Sequence, residues 1–353
     1  MHTWFQLLAA KGCICVFLFS WAIAFTSLHP IPANGATSLT EKGVTFDIVG
    51  SHHVTLSRGD TSITIVDNEA VNLPILPNHR AGYNGVASLS HVNQPANVFV
   101  PSFSGLNFEH IHDGTAAGLK EKFEPRRYPM QLRRINKYTI EIYQPPTGNW
   151  KLESCGRYSL LEDGTIEYSF ECVPHANDYT KGYIGLFWAS YIQNPIDTSI
   201  HFKGRSKQGN QLPRWIKATS PRHGVASTHS AAGNTVPLDV DPDFPLTLVG
   251  NASDYEYLDP WYYGVTNGMA LAFMFRAADN IWFAQSPTGG GNGNPAWDFQ
   301  WFVHDVVIGK AYGFTMRLAC LPFRGKKALV ESTKPHRTAL QKSQLKTPAL
   351  QDR

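Results

Sequence analysis

Several catalytic motifs are absent from this sequence of 353 residues. It contains no Gly-x-Ser-x-Gly, no His-Glu-x-x-His and no Cys-x-x-Cys. These absences argue against an α/β-hydrolase, a zinc protease of that type and a thioredoxin-like redox enzyme. The glycine-rich stretch 289–293 lacks the Lys-Ser/Thr ending of a phosphate loop, so nucleotide binding is not indicated either.

Charge is also scarce. Asp, Glu, Lys and Arg make up 17% of the chain, and hydrophobic residues make up 42%, a composition that indicates a folded protein. The formal net charge is +3, but the basic excess lies in residues 324–353, whereas residues 37–323 are net acidic. This distribution argues against nucleic acid as a partner. Residues 326–353 are expected to form a basic, flexible tail.

Helical patterns are nearly missing as well, since only residues 116–123 show one. Short runs rich in β-branched and aromatic residues recur instead, with turn signals about every 8–12 residues. We therefore predict an all-β fold: a large antiparallel β-sandwich with long loops and very little helix. No sequence repeat or clean linker divides the chain, so one domain is expected over residues 40–325.

Residues 1–24 have the pattern of a secretory signal peptide. Lys11 precedes an apolar run from Cys13 to Phe25, and Ala22-Ile23-Ala24 offers a small-x-small cleavage site, with cleavage after Ala36 as a second option. The run is shorter than the roughly 20 residues of a membrane-spanning helix. We expect a secreted or periplasmic protein whose mature chain has no integral membrane segment. Tethering by an uncleaved N-terminal segment is the alternative.

Three cysteines remain after such a cleavage: Cys155, Cys172 and Cys320. The hairpin signal Glu162-Asp163-Gly164-Thr165 lies between the first two. With Asp163-Gly164 as a two-residue loop, Cys155 and Cys172 face each other with Cα atoms about 4.5 Å apart, at the short end of disulfide geometry. We predict a disulfide there and a buried free thiol at Cys320, although a bulged turn would shift this register.

The segment 107–114 (Asn-Phe-Glu-His-Ile-His-Asp-Gly) is the densest group of chemically versatile side chains. As a strand, it places Phe108, His110 and His112 on one face and Glu109, Ile111 and Asp113 on the other. Paired imidazoles can transfer protons near neutral pH, bind a metal ion or donate hydrogen bonds to a polyol. A metal would need a third ligand from elsewhere. Polar residues satisfied at a loop edge are the third interpretation.

Three further segments combine aromatic and polar residues. In 183–192, alternation places Phe187, Ala189 and Tyr191 opposite Trp188, Ser190 and Ile192. In 254–264, carboxylates such as Glu256 lie among five aromatic residues. After the glycine-rich loop, alternation places Trp297, Phe299 and Trp301 opposite Asp298 and Gln300. Aromatic rings can stack on sugar rings, but core packing is the alternative for each of them.

The order of these features over residues 44–323 resembles the layout of the galactose-mutarotase-like β-supersandwich. That fold is found in sugar epimerases and as a domain of several polysaccharide lyases and glycosidases. The stretch from Phe103-Ser104-Gly105 to His110-Ile111-His112-Asp113-Gly114 is similar to an early His-Gly loop of mutarotases. His175 ahead of the strand 187–191 is similar to their next loop and strand. The chain departs from them in having no His on that strand and no Glu within 264–323.

The residues and the resemblance together imply a carbohydrate-active protein that uses His/carboxylate acid–base chemistry, as an epimerase, lyase or glycosidase. A non-catalytic glycan-binding protein is the alternative, and a carbohydrate is the expected partner in both cases. The candidate catalytic residues are His110, His112, His175, Glu256 and Asp298. The candidate sugar-binding residues are Asn107, Trp188, Tyr191, Asn194 and Trp297. No cofactor is expected, with a metal at His110 and His112 as the alternative.

Overall fold

The computed structural model describes residues 37–116, 121–209, 211–234 and 236–343. Within these residues the chain forms nineteen strands, and all pairings between them are antiparallel. The strands are β1 (Asp47–Ile48), β2 (His53–Arg58), β3 (Thr61–Val66), β4 (Gly85–His91), β5 (Asn107–His112), β6 (Gln131–Asn136), β7 (Thr139–Gln144), β8 (Leu152–Leu160), β9 (Ile166–Pro174), β10 (Tyr183–Ala189), β11 (Ile200–Ser206), β12 (Arg214–Ala218), β13 (Thr228–His229), β14 (Tyr255–Tyr257), β15 (Trp261–Thr266), β16 (Met269–Phe275), β17 (Trp282–Ser286), β18 (Ala296–His304) and β19 (Tyr312–Pro322). The helices are α1 (Glu124–Arg127), α2 (Thr247–Gly250) and α3 (Lys326–Ser343), with a 3-10 turn at Ala277–Asp279.

These strands form three sheets. The largest has eleven strands in the order β1-β6-β7-β8-β9-β19-β16-β15-β11-β12, with β14 paired to β11. A second sheet has the order β13-β17-β18-β10-β5, and a third consists of β2, β3 and β4. The predicted all-β, antiparallel sandwich with little helix is therefore confirmed.

The main core lies between the five-stranded sheet and the eleven-stranded sheet. Trp297, Phe299 and Trp301 of β18 share one face, as alternation predicts, and this face lies in the core. The ring of Trp188 stacks on Phe299 of its own sheet at 5.2 Å and meets Phe314 of β19 edge-on at 5.0 Å. One face of the five-stranded sheet is thus used for packing, which leaves the other face to line a cavity.

The end of the described chain is a helix and not the predicted flexible tail. Helix α3 places Leu329 and Leu340 against Trp261 and other side chains on the outer face of the eleven-stranded sheet. The guanidinium of Arg337 lies 4.8 Å from the centroid of the Trp261 ring. The basic composition therefore belongs to the exposed side of an amphipathic helix whose apolar side is buried. Residues 344–353 of the predicted tail lie outside the described residues.

The predicted disulfide is wrong. Cys155, Cys172 and Cys320 are all buried free thiols. The β8–β9 turn is longer than predicted, since Leu161 donates to the Thr165 carbonyl at 2.8 Å, and this shifts the register so that Cys155 faces Glu171 and Cys172 faces Ser154. Because neighbouring residues of a strand point to opposite faces, the two thiols lie on opposite sides of the sheet.

The predicted signal peptide lies outside the described residues and stays a prediction. No helix within the described residues is long and apolar enough to cross a membrane. In the predicted helix 116–123, residues 122–123 form a turn ahead of α1.

Candidate functional site

Strand β5 has a bulge at Glu109, and beyond it the alternation of side chains between the two faces of the sheet is reversed. Phe108 pairs with Trp188 and His110 pairs with Phe187, so Glu109 is an extra residue in the ladder. Because a bulge lets two consecutive residues share a face, Glu109 and His110 both line the cavity. Phe108 lies in the core, so the prediction that it shares a face with His110 is wrong.

A cavity of about 410 Å³ lies over the face of the five-stranded sheet that points away from the core. Its floor includes Phe187, Ala189, Tyr191 and Asp298, on the face that alternation predicts. Its walls come from segments 121–123, 245–249 and the side chains of His223 and Ser286. The volume falls within the roughly 300–1,000 Å³ that small-molecule sites occupy.

Glu109 is fixed in the cavity by two hydrogen bonds to the same oxygen. Its Oε1 accepts from Arg126 Nη1 at 2.7 Å and from the Tyr191 hydroxyl at 2.8 Å. The guanidinium of Arg126 lies 3.9 Å from the centroid of the Tyr83 ring and donates to the Gly82 carbonyl at 2.9 Å. Burial raises the pKa of Glu109, while the neighbouring Arg126 opposes this effect. The carboxylate is therefore held in one orientation, with Oε2 directed toward His110.

His110 lies beside this carboxylate in a mostly apolar setting. Its Nε2 is 3.8 Å from Glu109 Oε2, and its ring meets Phe123 edge-on at 4.3 Å and Phe187 at 5.3 Å. Burial, with a further contribution from the Arg126 charge, lowers the pKa of His110 to about 3. The imidazole is accordingly neutral near pH 7, with one nitrogen able to accept a proton and the other able to donate a hydrogen bond.

Asp298 is a second buried carboxyl group in the cavity floor. Its Oδ1 accepts the backbone N–H of Ser190 at 3.0 Å, and its Oδ2 has no hydrogen-bond partner among the described residues. Burial raises the pKa of Asp298 well above 3.8, and the negative charge of Glu109 raises it further. A carboxyl group of this kind keeps its proton and can act as a proton donor.

The predicted tryptophan platform is wrong. Trp188 lies entirely within the core between Phe108 and Phe299, and its Nε1 donates to the Tyr168 hydroxyl at 3.0 Å. Trp297 is equally buried and donates from Nε1 to the Thr198 carbonyl at 3.1 Å. Tyr191, with Phe123 and Phe187, supplies the aromatic lining instead.

Three other predicted residues lie away from the cavity. His175 is exposed, and its Nε2 is 2.8 Å from Glu153. Glu256 belongs to β14 of the eleven-stranded sheet and forms an ion pair with Arg205 at 2.5 Å. Asn194 is exposed, and its N–H donates to Asn294 Oδ1 at 2.8 Å. The structure does not bring these side chains together with His110 and Asp298.

Asn107 and His112 support the site from within the protein. The side-chain amide of Asn107 donates to the Asn84 carbonyl at 3.1 Å. His112 is buried beside the rings of Tyr183, Phe244 and Phe302, and burial lowers its pKa to about 3. His112 faces Gly185 across the strands, where a β-carbon would collide with the imidazole. Neither residue lines the cavity.

The candidate residues named from the sequence omit five charged or ionisable residues of the cavity region: Glu109, Glu121, Lys122, Arg126 and His223. Lys122 lies in the predicted short helix 116–123, Arg126 follows it in α1, and His223 comes from a long loop. The sequence signal that could have found Lys122 and Arg126 is the cluster of charged residues around Phe123 and Pro125 in 121–127. No group of three or more His, Cys, Asp or Glu side chains within the described ranges could hold a metal ion.

No protein-family model and no curated protein matches the chain. Solved structures of similar layout include a protein from Synechocystis sp. PCC 6803, with a TM-score of 0.46, 8% identity, and coverage of 80% of this chain and 100% of that one. A candidate aldose 1-epimerase from Escherichia coli K12 gives a TM-score of 0.43 at 9% identity, with 78% and 99% covered. A heparan sulfate lyase from Pedobacter heparinus gives 0.36 at 10% identity, with 75% and 34% covered.

Proposed function

We propose that this protein is a carbohydrate-active enzyme whose acid–base chemistry takes place in the cavity over the five-stranded sheet. The observation that carries the proposal is the convergence of Glu109 and His110 from β5 with Asp298 from β18. These side chains differ in protonation. Burial favours the protonated, neutral form of Asp298 and the unprotonated, neutral form of the His110 imidazole. Groups whose pKa values are pushed apart in this way suit a donor and an acceptor.

The chemistry follows from these two states. Asp298 Oδ2, which has no hydrogen-bond partner among the described residues, would donate a proton to a ring or glycosidic oxygen of a sugar. His110 would accept a proton from a hydroxyl group or a ring carbon, and the carboxylate of Glu109 beside it would stabilise the resulting imidazolium. Arg126 and Tyr191 are positioning residues, since both act through Glu109.

A sugar suits the lining of the cavity. The acid–base groups occupy one part of the surface, whereas Phe123, Phe187 and the apolar segment Pro245–Val249 provide C–H and ring contacts. Sugars combine hydroxyl groups with apolar C–H faces and so match such a surface. The same donor and acceptor would serve epimerisation, β-elimination or glycoside hydrolysis, so the reaction is left open among these three.

The test is a panel of aldoses, oligosaccharides and uronate-containing polysaccharides. Turnover would be measured as anomer or epimer exchange by NMR, as unsaturated product by absorbance and as new reducing ends. The test variant is Asp298→Asn, which keeps an oxygen for the Ser190 N–H but has no acidic proton. The matched control is Glu256→Gln, a carboxylate outside the cavity.

The proposal predicts that turnover of at least one panel member falls by about 10²–10⁴-fold in Asp298→Asn and is unchanged in Glu256→Gln. Binding of glycans without any turnover in the unmodified protein would instead indicate a non-catalytic glycan-binding protein. Turnover that survives in Asp298→Asn would remove the proposed role of this carboxyl group.

A further inference from the structure

One cation in the cavity wall, Lys122, has no anionic partner among the residues that the structure describes. Lys122 lines the cavity and is only 7% exposed. Its ammonium group makes no ion pair or hydrogen bond with any part of the chain that the structure describes, and its Nζ lies 5.5 Å from the centroid of the Phe244 ring. Buried ammonium groups are normally paired, because removing their charge from water is costly.

The acidic side chains of the cavity are engaged elsewhere. Glu109 is held by Arg126 and Tyr191. Glu121 forms an ion pair with Arg127 at 2.5 Å. Burial keeps Asp298 in its protonated form. None of these three carboxyl groups forms an ion pair with Lys122, so no carboxylate among the described residues that line the cavity neutralises its charge.

This charge lies beside the acid–base groups. The Lys122 carbonyl accepts the N–H of Ile111 at 3.1 Å, and Ile111 directly follows His110 on β5. Phe123, the next residue after Lys122, packs on the His110 ring. The Lys122 charge is close enough to lower the pKa of both His110 and His112. An anionic group held by Lys122 would therefore belong to the same ligand that contacts His110.

We propose that the ligand of this cavity is a sugar bearing an acid group, either a carboxylate or a phosphate monoester, and that Lys122 binds this group. The inference rests on the proposed function and adds its substrate class. A charge-assisted hydrogen bond between an ammonium and an anion in a water-poor wall is among the stronger polar contacts in proteins. Lysine binds both anions as a point charge, so the two acid groups share this chemistry.

The test compares sugars that differ only in the acid group. D-glucose and D-galactose are the neutral probes, D-glucuronate and D-galacturonate carry a carboxylate, and D-glucose 6-phosphate carries a phosphate. Binding is measured by isothermal titration and by the ligand-induced rise in melting temperature, and anomer exchange by NMR. The uronates and the sugar phosphate form separate arms that identify which acid group is preferred.

Two substitutions at the site and one elsewhere complete the design. Lys122→Met removes the charge while keeping a long side chain, and Lys122→Arg keeps the charge. Lys137→Met is the matched control, since Lys137 is exposed and its Nζ also lies near an aromatic ring, 5.0 Å from the Tyr138 centroid. Melting temperatures without ligand show whether each variant is folded.

We expect the acidic probes of one arm to bind more tightly than their neutral counterparts. Lys122→Met should weaken that binding by about tenfold or more, Lys122→Arg should retain part of it, and Lys137→Met should match the unmodified protein. Equal binding of neutral and acidic probes, unchanged in folded Lys122→Met, would overturn the acid-group proposal and leave the proposed function standing. If no probe binds, both the acid-group proposal and the proposed function are overturned for monosaccharides of these kinds.

Discussion

At the scale of single residues, the two buried carboxyl groups of the cavity differ in their neighbours. Glu109 has the positive charge of Arg126 at 2.7 Å, whereas Asp298 has only a backbone N–H from Ser190. Burial penalises the ionised form of both groups, and only Glu109 has a counter-charge to offset this penalty. The Arg126 charge thus favours the ionised form of Glu109, whereas Asp298 has no such counter-charge among the described residues and suits the role of proton donor.

This difference predicts a pH-dependent stability. The pKa of Asp298 is raised in the folded state, so its contribution is fully present below the pKa of the unfolded chain, about 3.9. The contribution is lost as pH rises from there through the folded-state pKa. As pH rises across this range, the free energy of unfolding measured by urea denaturation should fall in the unmodified protein relative to that of Asp298→Asn. A difference that does not change with pH would contradict the protonated state of Asp298.

Sequence reasoning found His110, Asp298 and Tyr191 because period-two alternation is a local property of a strand. It placed Phe108 on the wrong face, since the bulge at Glu109 depends on pairing with β10, which local sequence does not reveal. Lys122 lies at the end of the predicted helix 116–123 and Arg126 lies in the short helix α1, and neither pattern shows which strand these residues approach. Their approach to β5 is a long-range contact that no local pattern encodes.

At the scale of elements, helix α3 replaces the predicted flexible tail. Its apolar residues Leu329 and Leu340 are buried against the eleven-stranded sheet, while Lys326, Lys327 and Lys334 are exposed. Composition alone suggested a solvated segment, because apolar residues are few there and are interspersed with charged residues. The spacing of Leu329, Thr333, His336 and Leu340, all buried, follows the helical period and was the missed signal.

Helix docking predicts a change in proteolysis. Leu340→Ala should remove about 2–5 kcal/mol of packing energy and expose the lysines of α3 to trypsin. Limited digestion followed by mass spectrometry should show faster cleavage after Lys327, which precedes Ala328, than in the unmodified protein. Ser332→Ala, an exposed substitution on the same helix, is the control. Equal cleavage rates in all three proteins would contradict the packed helix.

The contact between the two large sheets makes a second prediction at this scale. Gly264 of β15 lies against the ring of Trp297 of β18, so a β-carbon at residue 264 would collide with the indole. Gly264→Ala should therefore reduce the free energy of unfolding by about 1–3 kcal/mol. Gly50→Ala, where a β-carbon would meet no neighbour, should leave it unchanged. Equal stability of both variants would contradict the close approach of the sheets.

At the scale of the whole molecule, the described part of the fold is held by packing, since its three cysteines are free thiols. The predicted pairing of Cys155 with Cys172 is wrong because one extra residue in the β8–β9 turn shifts the register by one residue. Such a shift places side chains that were expected to face each other on opposite faces of the sheet. The overall architecture was predictable because many short strands with little helix leave few alternatives. The order of the strands in the sheets was not, since it is set by long-range pairing.

The free thiols give a prediction for the whole molecule. Burial raises the pKa of Cys155 and Cys172, and it raises the pKa of Cys320 to about 12, so none should react with iodoacetamide in the folded protein. After unfolding without reductant, mass spectrometry should find all three alkylated. A peptide linking Cys155 to Cys172 would contradict the register of β8 and β9.

The central claim is that Glu109, His110 and Asp298 act on one sugar in the cavity over the five-stranded sheet. The most direct measurement is a crystal structure of the Asp298→Asn variant with the sugar that the panel identifies. The account predicts electron density for the sugar in the cavity, with one oxygen within hydrogen-bond distance of the side chain at position 298 and another near His110. A sugar bound elsewhere on the protein, with the cavity empty, would contradict it.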